Sequence, residues 1–151
     1  MFIAESEISK KIRGKILAEV TDIEKYLTKF LSDYFTKDRE KREELYDLIF
    51  NTELLSLRKK INMFKKILPK LDYKIDNKDR TERLIQSFIF INEIRNKVAH
   101  WNWSMKKSQN RTSYLQNPRK KEEYLRLDSK LLKRYDNSIG EILMFFDALE
   151  S

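Results

Sequence analysis

The sequence has no cysteine, one histidine, two glycines and two prolines in 151 residues. Without cysteine, disulfide scaffolds, thiolate metal sites and cysteine nucleophiles are excluded. A single histidine leaves carboxylates almost alone to hold a protein-bound metal, so neither a metal nor a cofactor is expected. Two glycines are too few for a glycine-rich phosphate loop, a nucleotide-binding fingerprint or a turn-rich all-β fold. Apolar runs such as Phe88 to Ile91 fall far short of the roughly 20 residues a membrane helix needs. The opening Met-Phe-Ile-Ala-Glu-Ser-Glu is acidic and has no continuous apolar stretch, unlike a leader. A cytoplasmic protein that does not engage a membrane is expected.

What is present is helical periodicity. Hydrophobic residues make up 40% and charged residues 37% of the chain, enough apolar content for one modest core and too much for disorder. The length fits a single domain over residues 1–151. Ile8, Ile12, Ile16, Val20, Ile23, Leu27, Phe30 and Tyr34 recur at steps of three and four and line one face of a helix, long or broken near Gly14. A second segment opens at Asp38, a favoured N-cap type, and carries Leu45, Leu48 and Ile49. Leu54, Leu57, Ile61, Phe64 and Leu68 form a third stripe that Pro69 stops. The fourth follows Asp79 and Glu82, spaced as a capping box, and runs through Leu84, Ile85, Phe88, Ile89, Phe90, Ile91, Ile94 and Val98. It is apolar on more than one face, so it is expected to be central or to face a second subunit. The fifth spans about Asp128 to Leu149. The fold class expected is therefore all-α, an up-and-down bundle of about five helices. Trp101 to Leu127 lacks the helical period and forms an irregular basic excursion, with a short hairpin pairing residues near Tyr114 with residues near Tyr124.

The charge is uneven. From Ile94 to Lys121 there is no acidic residue, while Arg95, Lys97, Lys106, Lys107, Arg111, Arg119, Lys120 and Lys121 are basic. This window accounts for the whole formal charge of +8. A local cationic field attracts polyanions. Trp101, Trp103 and Tyr114 interleave with the cations, as suits single-stranded nucleic acid, in which cations follow phosphates and rings stack on bases. The plainer reading is a solvated basic loop anchored to the core by its tryptophans. The acidic groups Glu5/Glu7, Glu40/Glu43/Glu44 and Glu122/Glu123 sit among basic residues and read as solvated surface.

His100 stands where the fourth helix meets the excursion. On a straight helix it shares a face with Asn96, four residues earlier, with Glu93 one turn before. Arg95 is five residues before it, about 140° around the axis. The two side chains converge only if the helix ends near Ala99 or if a two-fold axis pairs two copies. A homodimer is therefore expected.

The stretch Arg95-Asn96-Lys97-Val98-Ala99-His100 resembles the Arg-x4-6-His motif of HEPN domains, small helical bundles that carry it on a late helix. The resemblance implies a metal-independent endoribonuclease whose site forms at a dimer interface. It further implies a role in toxin–antitoxin or phage-defence systems, with a nucleotidyltransferase-type antitoxin as a partner. RNA would be the substrate, with its 2′-hydroxyl as nucleophile and a 2′,3′-cyclic phosphate as product. Histidine suits general acid or base work near neutral pH, and arginine's planar fork suits phosphate. His100 is accordingly assigned as general base or acid, Arg95 as phosphate clamp and Asn96 as an orienting group. Lys97, Trp101, Trp103, Lys106, Lys107 and Arg111 are the candidate RNA contacts. Two other readings stay open: a non-catalytic RNA-binding or dimerising adaptor, including a mannitol-repressor-like regulator, and an antitoxin or DNA-binding partner. No helix-turn-helix supports the last.

Overall fold

The computed structural model describes residues 5–71, 78–105 and 113–150. Helix α1, Glu7–Phe35, opens where the Ser6 hydroxyl accepts the Ser9 N–H, an N-cap that satisfies one free amide of the first turn. It runs unbroken past Gly14, around which a side chain would find open space. Its inner face is Ile16, Val20, Ile23, Leu27 and Leu31. Thr28 and Ser32, also buried, donate their hydroxyls to the carbonyls of Glu24 and Thr28 (2.7 and 2.9 Å), so polar side chains enter the core without an orphaned group. Ile8 lies outside the packed face, 68% exposed.

Helix α2, Arg39–Leu45, is capped by Asp38, as its sequence position implies. It passes into a π-helical turn, Tyr46–Phe50, closed by Asn51 N–H on the Tyr46 carbonyl at 2.7 Å. The wider turn brings Phe50 inward and leaves Leu48 and Ile49, which the second segment carries, exposed. Helix α3, Leu57–Ile67, is capped by Ser56 and gives way at Pro69 to a 3-10 turn, Leu68–Lys70. Leu54 precedes the helix and is exposed.

Helix α4, Lys78–His100, packs against α1, α3 and helix α5, Ser129–Glu150. Asp79 lies in its first turn, and the Glu82 carboxylate accepts from Gln86 at 3.3 Å. The residues immediately before Lys78 lie outside the described residues. Phe88, Ile91 and Val98 of α4 are fully buried and Leu84, Ile85, Phe90 and Ile94 nearly so. Packing within one protomer thus covers the helix on several sides, and no second subunit is needed to explain its apolarity. Phe30, Phe64, Phe88, Phe145 and Phe146 join the helices through mostly edge-on and tilted ring contacts, the arrangement that ring quadrupoles favour.

The excursion holds a three-stranded antiparallel sheet in the order β1 (Asn102–Trp103), β2 (Ser113–Gln116), β3 (Tyr124–Leu127). The hairpin expected near Tyr114 and Tyr124 is present, with Tyr114 opposite Arg126 and Gln116 opposite Tyr124. The third strand, β1, pairs Asn102 with Gln116 and Trp103 with Leu115. Alternation splits the sheet: Leu115, Leu125 and Leu127 enter the core, while Tyr114, Gln116, Tyr124 and Arg126 keep partial or full exposure. The architecture is a five-helix bundle with this small sheet before its last helix. No helix among the described residues is long and apolar enough to cross a membrane.

Candidate active site at the end of the central helix

Ile94 and Val98 anchor the last two turns of α4 in the core. The residues between and beyond them stand at the surface: Asn96 and His100 are exposed, Arg95 and Lys97 half-buried. Arg95 donates from Nη1 to Asn96 Oδ1 at 3.2 Å, which restricts the guanidinium. The helix continues through His100, and Trp101 N–H still donates to the Lys97 carbonyl at 2.8 Å. It therefore does not end early near Ala99, and Arg95 and His100 leave one protomer on divergent headings, about 140° apart around the axis. No described residue makes a hydrogen bond or ion pair to the His100 imidazole.

A residue that sequence reasoning missed secures this helix end. Arg13 reaches from α1 to the Val98 carbonyl through Nε (3.2 Å) and Nη2 (2.9 Å) and to the Trp101 carbonyl at 3.3 Å. Its other nitrogen, Nη1, holds both carboxylate oxygens of Glu5, at 3.1 and 2.9 Å. A cation on the terminal carbonyls satisfies otherwise orphaned acceptors and complements the helix dipole. Glu5 also accepts from Ser9 at 2.6 Å, so its reading as solvated surface is corrected: its side chain is only 15% exposed. In the sequence, Ile12 and Ile16 flank Arg13 on the packing side, the one signal of an inward-facing cation.

The tryptophans serve as anchors. Trp103 lies on the inner side of the sheet opposite Leu115, packs against the core, and buries an Nε1 that has no acceptor among the described residues. Trp101 also packs against the core, with Lys97 Nζ 5.1 Å from its ring centroid, a cation–π contact. Of the two candidate RNA contacts, Trp103 is half-buried on the inner face of the sheet and Trp101 has Lys97 over its ring. Lys106, Lys107 and Arg111 lie outside the described residues. Arg119 and Lys121 are exposed at the β2–β3 turn. The Asn117 amide, donating at 2.9 Å, holds the Glu123 carboxylate below its usual range, with Lys120 and Lys97 adding to the effect. Among the described residues no group of three or more metal-ligand types is assembled.

No known family, no curated protein and no solved structure matches this chain. The case for its chemistry rests on its own residues.

Proposed function

We propose that this protein is a metal-independent endoribonuclease of HEPN type, acting as a toxin or phage-defence component on RNA, with its site shared between two copies of the chain. The observation that carries the reading is the spacing of Arg95, Asn96 and His100 on the last turns of α4, with His100 exposed beside the segment that holds the chain's excess positive charge. In this mechanism His100 of one copy removes the 2′-hydroxyl proton or protonates the 5′-oxygen as it leaves. Arg95 of the other copy, restricted by Asn96, stabilises charge growing on the phosphoryl oxygens. The 2′-oxygen–phosphorus bond forms as the phosphorus–5′-oxygen bond breaks, leaving a 2′,3′-cyclic phosphate.

The test is incubation with single-stranded and transfer RNA in EDTA. Cleavage with cyclic-phosphate ends is expected, falling by about 100-fold or more in His100→Ala and in Arg95→Ala with the melting transition retained. Absence of cleavage across many RNAs defeats the proposal. A second reading is favoured by the divergence of Arg95 and His100 along one unbroken helix. If two copies do not associate, the protein is a non-catalytic RNA-binding or mannitol-repressor-like adaptor. In that case His100→Ala leaves RNA binding unchanged.

A further inference from the structure

The outer face of the sheet is not used by that chemistry. Residues paired across antiparallel strands share a face, so the registers put Asn102, Gln116 and Tyr124 in one row and Tyr114 and Arg126 in the next. The opposite face buries Leu115, Leu125 and Leu127, which fixes the sheet to the bundle and sets the outer face toward solvent. Tyr114 and Tyr124 thus stand as diagonal neighbours on that face, their backbone positions about 7–8 Å apart. Arg126 lies 5.9 Å from the Tyr114 ring centroid. The Gln116 amide donates to the Tyr124 hydroxyl at 3.1 Å and to the Lys121 carbonyl at 2.7 Å, bracing that ring and tying it to the turn that carries Arg119 and Lys121. The face begins at Asn102, two residues after His100.

We propose that this face is a stacking platform for single-stranded RNA: Tyr114 and Tyr124 take successive bases, while Arg126 and the exposed Arg119 and Lys121 follow the phosphates. A sheet with half-buried rings at its outer face and flanking cations can bind unpaired bases because every base offers a π-face, whereas duplex keeps its bases stacked internally. Continuity with the end of α4 leads the bound strand toward His100. The inference rests on the ribonuclease reading for that destination, and on the sheet alone for the binding.

Binding is measured by fluorescence anisotropy with a labelled, fully 2′-O-methylated mixed-sequence dodecamer, which lacks the nucleophile. Cleavage is measured with the unmodified dodecamer. Tyr114→Leu and Tyr124→Leu are each expected to weaken binding roughly 5- to 100-fold, Tyr114→Phe and Tyr124→Phe to restore it, and an oligomer of abasic sugars to bind as poorly to the wild type. Arg126 is exposed and pairs with Asp128 at 3.4 Å; Arg126→Gln is expected to weaken binding about threefold or more with the melting transition retained. In the cleavage assay the leucine variants raise KM and leave kcat within about twofold. Weak binding in the leucine variants with no cleavage by any protein upholds the platform and defeats the ribonuclease. Cleavage with unchanged binding in the leucine and Arg126→Gln variants does the reverse. Equal affinity for the duplex dodecamer, or no affinity for either form, overturns the platform.

Discussion

Arg13 illustrates how much one side chain contributes to a helix end. It makes charge-assisted bonds to two terminal carbonyls and a carboxylate while its side chain is only 22% exposed. Arg13→Ala is expected to cost about 1–3 kcal/mol and to loosen Trp101 before it unfolds the bundle. Chemical denaturation followed by tryptophan fluorescence reads both, and equal stability to wild type refutes the role. Arg13→Lys should rescue little, because an ammonium does not reproduce the forked geometry. Glu19 acts in the opposite direction. Burial raises its carboxyl pKa above the usual 4.5, Lys15 partly offsets this, and Asp136 and Asp22 reinforce it. Its Oε1 and the Tyr135 hydroxyl are both buried without a hydrogen-bond partner. Burial first, then Glu19 and Asp136, push the Tyr135 phenol far above its normal range, so it stays neutral. A carboxyl with a raised folded-state pKa stabilises the fold fully below its unfolded value and loses that contribution as pH rises through the folded value. At neutral pH the charged Glu19 is thus a cost. Glu19→Gln should raise the melting temperature at pH 7, with the gain shrinking to nothing below about pH 4.5. A lower melting temperature at pH 7 contradicts this account.

Elements differ in how far the sequence specifies them. The stripe of α3 is plain in Leu57, Ile61 and Phe64, and the caps at Ser56, Asp38 and Asp128 each engage an amide two or three positions into the helix. Periodicity reaches its limit where geometry departs from 3.6 residues per turn. The π-helical turn shifts the inward residue to Phe50, which a regular stripe cannot anticipate. The candidate site on α4 is visible as a motif because Arg95, Asn96 and His100 are local in sequence. The Arg13–Glu5 clasp joins α1 to α4 across 85 residues at Val98, and no local pattern encodes such a pairing. Lys60 makes the same point. It sits within the apolar stripe of α3, 3% exposed, and its Nζ meets Glu24 of α1 at 2.9 Å. Its inward position shows in the spacing, but its partner does not. Lys60 is the buried member and Glu24 is 26% exposed; removing Glu24 leaves a buried charge without its partner, whereas such a pair is often replaceable as a unit. Glu24→Ala should therefore cost about 3–5 kcal/mol, whereas Glu24→Leu with Lys60→Met should be neutral or stabilising. Urea titrations of the single and double variants decide it. A double variant as unstable as the single one would show that the pair specifies the α1–α3 packing.

At the scale of the whole molecule the question is where Arg95 and His100 meet. One continuous α4 separates them along and around its axis, by about 7.5 Å and 140°. In the proposed function two copies related by a two-fold axis would solve this: each site would take Arg95 from one chain and His100 from the other, and two equivalent sites would form. The arrangement has a consequence that no single-chain site shares. Arg95→Ala and His100→Ala protomers are each inactive as homodimers. When they are mixed, unfolded and refolded together, about half the dimers pair one of each, and in those one site has lost both groups while the other keeps both. The mixture should recover about a quarter of the wild-type rate, measured as cyclic-phosphate product from the same RNA. A monomer carrying both groups in one site would recover nothing, since every chain lacks one of them. A mass near the 18.4 kDa of a single chain at micromolar concentration, together with no recovery on mixing, would remove the shared site and leave the adaptor reading in its place.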